Sequence, residues 1–147
     1  MTDRDSYYEA LLARLKDAVP EVLTWTRRDL TSDQLLRTQK PAGILRVSDM
    51  TPINERGLPT RWILGAAVIL YVQQSPHTMS PDEELNGLID RIADALQAQE
   101  DERQDLSATT LGGICERCWI SDTIEYVQGE GSGQAAAVIP IDILVVG

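Results

Sequence analysis

Cysteine, histidine and long apolar runs are scarce in this sequence. Two cysteines and one histidine occur in 147 residues, too few for a disulfide framework or for the four ligands of a structural zinc site. The longest apolar run, Ile63 to Val72, is about half the roughly 20 residues that span a bilayer as a helix. The first residues, MTDRDSYYEA, lack the apolar core of a signal peptide. We therefore expect a soluble, intracellular protein with reduced thiols.

Basic residues are also few. The sequence has 13 Lys and Arg against 23 Asp and Glu, a formal net charge of -10. A surface of this sign repels phosphate backbones and offers no electrostatic footprint for gripping DNA. Two interpretations remain open: an ordinary solvated surface, or a surface that nucleic acid passes without sticking.

The apolar pattern predicts two amphipathic helices. The first ends near Pro20, and the second begins at Ser80-Pro81-Asp82-Glu83, which combines an N-cap hydroxyl, a proline at the first helical position and a capping-box glutamate. The apolar stripe of the first helix comprises Tyr8, Leu11, Leu12, Leu15 and Val19, and that of the second comprises Leu85, Leu88, Ile89, Ile92 and Leu96.

Four further segments have the composition of strands. They are Ala42 to Val47, Arg61 to Gln73, Gly113 to Val127 as one strand or two bent near Asp122, and Ala135 to Val146. The order α-β-β-α-β-β predicts one domain, residues 1–147, of the α+β class. We expect a mainly antiparallel sheet of four strands, or slightly more, with both helices packed on one face. Pro140 lacks a backbone donor, so the last strand should lie near an edge or bulge there.

Two connections are candidate contact surfaces. Ser48 to Thr60 forms an unusually long hairpin loop if the first two strands pair, and long loops are often functional. Gln128 to Gln134 is rich in glycine, but it lacks the lysine of a phosphate-binding loop and opens a strand. We therefore interpret this second segment as a hairpin turn.

The sheet face turned away from the helices is also apolar. It carries Ile69, Tyr71, Val138, Leu144 and Val146. Soluble monomers rarely leave so much contiguous apolar area in water. We expect other subunits to cover this face or its edges.

No catalytic group emerges from the sequence. Cys115 and Cys118 lie three residues apart in a predicted strand, so they should point to opposite faces unless Gly112 and Gly113 curl the chain. No helix follows them to lower a thiol pKa, and His77 has no neighbouring nucleophile pattern to activate. We expect neither an enzyme nor a bound metal or cofactor.

The order of elements resembles the tail-terminator, or tail-completion, proteins of long-tailed bacteriophages. The similar segments are "KPAGILRV", a long loop and an apolar strand, a capped helix, "LGGICERCWISDTIEY", a glycine-rich turn and "QAAAVIPIDILVV". The resemblance implies a ring, six subunits in that family, on the head-proximal end of the tail tube. It also implies contacts with the tube protein and with head-completion or neck proteins. Genomic DNA would pass through the lumen of the assembled virion, and assembly would take place in the host cytoplasm.

The candidate interface residues follow from the two connections and the apolar face. They are Met50, Ile53, Arg56, Leu58, Tyr71, Gln128, Glu130, Val138 and Leu144. A head–tail connector or neck adaptor of the same virion is the main alternative to a terminator. A small oligomeric binding domain is a further one.

Overall fold

One mixed sheet and two helices make up the part of the chain that the structure describes. This computed structural model describes residues 3–30, 34, 39–73, 81–97, 108–128 and 134–146. The elements in chain order are α1 (Arg4–Ala18), β1 (Thr24–Thr26), β2 (Ala42–Ile53), β3 (Arg61–Gln73), α2 (Pro81–Ala95), β4 (Arg117–Ile120), β5 (Glu125–Gln128) and β6 (Gln134–Val146).

The sheet has the strand order β1-β2-β3-β6-β4, with β5 also paired to β6. β1 runs parallel to β2, and every other described pair is antiparallel. The predicted α+β class is confirmed. The predicted order α-β-β-α-β-β lacks β1, and of the two alternatives predicted for Gly113 to Val127 the structure has the one with two strands, β4 and β5, divided around Asp122. β1 has three residues, too few for a visible alternation, and residues 121–124 separate β5 from β4.

Helix α1 is placed by its capping residue and its apolar stripe. The Asp3 side chain accepts a hydrogen bond from the Ser6 backbone N–H at 3.3 Å, which satisfies one of the donors that a helix start leaves open. Tyr8, Leu11 and Leu15 are buried against the sheet. The Tyr8 hydroxyl donates to the Gly65 carbonyl at 3.2 Å, so the helix is hydrogen-bonded to the centre of β3.

Helix α2 begins at Pro81, as predicted; Ser80 lies outside the described residues. Leu85, Leu88 and Ile92 enter the same core as the stripe of α1. The Arg14 Nε donates to the Ala95 carbonyl at 2.8 Å, which joins α1 to an orphan carbonyl of the last turn of α2. Both helices therefore cover one face of the sheet.

The two longest strands, β3 and β6, supply the rest of this core. β3 and β6 pair over their full lengths, from Arg61 opposite Val146 to Gln73 opposite Gln134. Because successive strand residues point to opposite faces, every second residue reaches the helices. Those core residues are Leu64, Ala66, Val68, Leu70 and Val72 on β3, and Ala135, Ala137, Ile139, Ile141, Ile143 and Val145 on β6.

The predicted Ser48 to Thr60 loop is wrong in its first half. β2 continues through a bulge between Val47 and Met50 and stays paired with β3 as far as Ile53. The strand continues past Asp49 because Ser48 and Asp49 form a bulge opposite a single residue, Gly65. Gly65 leaves room for the bulge, since a Cβ atom on it would collide with the Asp49 and Ser48 side chains. Only residues 54–60, the hairpin tip, connect β2 to β3.

Pro140 lies on an inner strand rather than at an edge, so the expected edge position is wrong, but the ladder on one side of β6 is interrupted beside Pro140, between β4 and β5. Pro140 pairs with Ala67 on one side, and on the other its carbonyl accepts from the Ser121 N–H at 3.0 Å. The N and C=O of one strand residue point to the same side in an antiparallel ladder. The missing donor therefore faces the break between β4 and β5 and not the ladder with β3.

Cys115 and Cys118 do not point to opposite faces. Both thiols are buried in the core on the helix side. Cys115 precedes β4, after a turn in which Leu111, Gly112 and Gly113 all have positive φ, so the strand alternation does not apply to it. Burial raises the pKa of the Cys118 thiol, and Cys115 raises it further.

Candidate subunit interface

Four of the predicted interface residues lie together at the free end of the β2–β3 hairpin. Met50 and Ile53 belong to β2, and Arg56 and Leu58 to the hairpin tip. Leu58 is 61% exposed, whereas Ile53 is half-buried. Within the tip, the Leu58 N–H donates to the Glu55 carbonyl at 3.0 Å. The tip thus has its own hydrogen bonding and presents a leucine to solvent.

Three other predicted residues lie on the outer face, the sheet face away from the helices, and are less exposed than expected. Tyr71, Val138 and Leu144 are half-buried, and Ile69 is only 7% exposed. β4 and β5 extend the sheet beside β6, and their residues flank this face. Arg117 lies opposite Leu144.

The last two predicted residues adjoin the glycine-rich segment. Gln128 is the final residue of β5. Glu130 lies outside the described residues. The structure therefore places the predicted residues in separate areas rather than in one patch: the hairpin tip, the outer face and the β5 edge.

Four of the large exposed apolar side chains lie on two opposite edges of the sheet, and three of the four were not among the predicted interface residues. Val47 and Met50 lie on the β2 edge, and Tyr126 and Val127 on the β5 edge. The remaining large exposed apolar residues in the described part are Leu23, Leu58, Ile114 and Val146. One sequence signal could have indicated the β5 edge. Tyr126 and Val127 are adjacent, so a strand places them on opposite faces, and exposed apolar residues on both faces are typical of a contact surface.

Ion pairs hold the hairpin beside the neighbouring strands. Arg61 lies 3.4 Å from a carboxylate oxygen of Glu55 in the tip and 3.4 Å from one of Glu116 next to β4. Arg46 on β2 pairs with Asp29. Each pair is partly exposed, so each contributes at most about 1 kcal/mol to folding.

A small acidic pair marks the bulge on the outer face. Burial raises the pKa of the Asp142 carboxyl, and the nearby charge of Asp49 raises it further, while a hydrogen bond from Ser121 lowers it. In the described part of the chain, no three His, Cys, Asp or Glu residues come close enough together to hold a metal ion.

One open pocket lies between the end of α1 and β1. It has a volume of about 430 Å³, and its lining consists of Lys16, Pro20, Val22, Leu23, Thr24 and Trp25. Among these described lining residues, Lys16 is the one charged group. No described helix is long and apolar enough to cross a membrane.

The described architecture is that of an α+β protein whose six-stranded sheet carries both helices on one face and has apolar residues at both edges. This fold is similar to a chain in a solved structure described as "Virion of native gene transfer agent (GTA) particle", with a TM-score of 0.59 and 8% sequence identity. The similarity covers 99% of this chain and 100% of that chain. No protein-family model matches the sequence, and no curated protein does.

Proposed function

We propose that this chain is a structural protein of a phage-like virion, and more specifically a tail terminator. In this role it forms a ring on the head-proximal end of the tail tube, stops tube polymerisation and presents a docking surface to the head. The observation that carries the proposal is the end-to-end similarity in fold to a virion chain. The order of elements in the sequence supports the same assignment. The role needs no catalytic group, metal or cofactor.

The distribution of exposed apolar residues supports ring formation. Val47 and Met50 lie on one edge of the sheet, and Tyr126 and Val127 on the opposite edge. A contact between two different edges is heterologous, and such contacts close into a ring when the rotation per subunit allows it. The resemblance to tail terminators sets the expected number at six.

The hairpin tip is the proposed contact with the tail tube or a neighbouring ring. Residues 54–60 extend past the last pair of the hairpin, Ile53 and Arg61, and expose Leu58 and Arg56. An exposed leucine and an arginine are suited to a protein partner, since arginine is enriched at protein interfaces. Head-completion or neck proteins would bind the opposite side of the ring. The excess of acidic residues would let genomic DNA pass the lumen without being held.

Deletion of the gene tests the function directly. A terminator is required to stop tube growth, so electron microscopy of the lysate should show overlong tubes without heads. Tails of normal length that lack heads would instead indicate a neck adaptor, the alternative position in the same virion. Complete virions with normal tails would contradict both assignments.

The purified protein provides the second measurement. Negative-stain images should show rings with a central hole. A monomer at every concentration, alone and with tail tubes, would contradict the proposal.

A further inference from the structure

We propose that neighbouring subunits of the ring are joined by a continued β-sheet, in which β5 of one copy pairs with the free edge of β2 of the next. This pairing rests on the proposed function, because it defines the contact that closes the ring. Its occupant is a second copy of this chain.

Strand direction permits the pairing. β2 and β6 run in the same direction because both are antiparallel to β3, while β5 is antiparallel to β6. β5 and β2 therefore run in opposite directions. When the next copy continues the sheet in the same orientation, its β5 meets β2 as an antiparallel neighbour, the pairing that needs no inversion of the subunit.

The free part of the β2 edge is short and has defined ends. β1 occupies Ala42 to Ile44, and the regular ladder is interrupted after Val47 by the bulge. Beyond the bulge, Pro52 lacks a backbone donor, and bulges and prolines are devices that keep an edge from pairing. Among the described residues, no strand other than β3 pairs with β2 at Leu45, Arg46 and Val47, so this is the stretch that we propose for the contact.

The β5 edge matches this stretch in length and character. β5 consists of Glu125 to Gln128 and pairs with β6 along one of its two edges. Its other edge has no paired strand among the described residues. It contains neither proline nor a bulge, and Tyr126 is 46% exposed. With two adjacent apolar residues and neither of those interruptions, this edge can accept a neighbouring strand.

The side-chain faces select one register. Val47 lies opposite Ala66 and Tyr126 opposite Ala137, so both belong to the helix side of the sheet. Since a slip of one residue moves every side chain to the other face, only even shifts keep apolar residues together. One such register fits between β1 and the bulge, and it places Tyr126 opposite Val47. Pairs of an aromatic and a β-branched residue on neighbouring strands stabilise sheets.

Charge is complementary in the same register. Arg46 and Glu125 both lie on the outer face, because their partners are Ala67 and Val138. The register makes them diagonal neighbours, within reach of long side chains. The Arg46 side chain is 49% exposed although it pairs with Asp29, so it remains accessible to a second carboxylate.

Cysteine cross-linking in the full-length protein tests the register. In the double variant Val47→Cys/Tyr126→Cys, the two thiols come from adjacent subunits and face each other. Opposed residues of antiparallel strands have Cα atoms roughly 4.5–5.5 Å apart, inside the range for a disulfide. Oxidation with diamide should produce a ladder of covalent oligomers on a non-reducing gel. Within one subunit the two positions are separated by β3 and β6, so the bond cannot form inside a chain.

The matched control is Val47→Cys/Val127→Cys. Val127 lies opposite Ala136 on the outer face, so its thiol points away and the yield of the ladder should fall at least tenfold. Cys115 and Cys118 are buried, and the oxidised wild-type protein measures their background. Equal ladders in both double variants, or no ladder although the images show rings, would overturn the pairing and leave the ring intact. No ladder and no rings would overturn the ring as well.

Charge exchange provides an independent measurement. Arg46→Glu and Glu125→Arg should each weaken ring formation several-fold in sedimentation velocity, and the double exchange should recover most of that loss. Circular dichroism of each variant checks the subunit fold. Additive losses in the double exchange would contradict the proposed neighbours.

Discussion

The contact between Gly43 and Trp25 depends on the absence of a side chain. A Cβ atom at Gly43 would lie 2.9 Å from Cη2 of the Trp25 ring and nearer still to two other ring atoms. The ring has little freedom to move, because its Nε1–H donates to the Val19 carbonyl at 3.3 Å. Gly43 therefore lets the indole lie flat on β2 and close the core beside β1.

We expect Gly43→Ala to destabilise the protein by about 1–3 kcal/mol, the usual cost of forcing extra atoms into a packed site. Urea unfolding followed by tryptophan fluorescence measures the change. Gly87→Ala is the matched control. A Cβ at this position in α2 meets nothing within 4 Å, so alanine should stabilise the helix by about 0.5–1 kcal/mol. Equal effects of the two variants would contradict this account of Gly43.

At the scale of elements, the sequence predicted best where a pattern was long and regular. The strand from Arg61 to Gln73 was predicted with the bounds that β3 has, and the last strand was predicted one residue short of β6. The sequence predicts that the strand ends at Val47, because Ser48, Asp49 and Pro52 are residues typical of loops. A bulge and an edge position accommodate such residues, and both depend on the neighbouring strand.

The hairpin tip is an element that can be removed without disturbing the core. Replacing residues 54–60 with Asn-Gly joins Ile53 directly to Arg61, the last pair of the hairpin, through a two-residue turn that favours such geometry. We expect the subunit to remain folded, with a change in the free energy of unfolding of less than about 1 kcal/mol, the scale of loop-closure effects. Capping of tail tubes should be lost, as measured by tail lengths in electron micrographs.

Leu58→Ser in the full-length tip is the control for this deletion. It removes the exposed apolar side chain and keeps the reach, so it should weaken capping without abolishing it if both features matter. Virions of normal tail length from the shortened variant would show that the tip does not contact the tube.

At the scale of the whole molecule, the candidate interface was only partly accessible to sequence reasoning. The alternation along β6 correctly assigned Val138 and Leu144 to the outer face. It could not reveal that β4 and β5 flank them, because exposure depends on which strands become neighbours. Val47 and Tyr126 were missed for the same reason. Each lies on the helix side, where one strand alone predicts burial, and each is exposed because its strand is at an edge.

Net charge also acts on the whole assembly. Each copy carries a formal charge of -10, so bringing copies together is opposed by repulsion over long distances. The proposed contact is short and mainly apolar, with one pair of opposite charges, Arg46 and Glu125. Salt screens both effects, but the repulsion involves many more charges than the single attractive pair.

We therefore expect added salt to favour the ring. Raising the ionic strength from about 0.01 M to about 0.15 M shortens the screening length from roughly 30 Å to roughly 8 Å, which removes most of the repulsion between copies and leaves the apolar contact. Sedimentation velocity at fixed protein concentration should show the ring fraction rising over this range. The Arg46→Glu/Glu125→Arg variant, which has the same net charge, should follow the same curve. A ring that dissociates as salt is added would mean that ion pairs, and not the apolar edges, hold the subunits together.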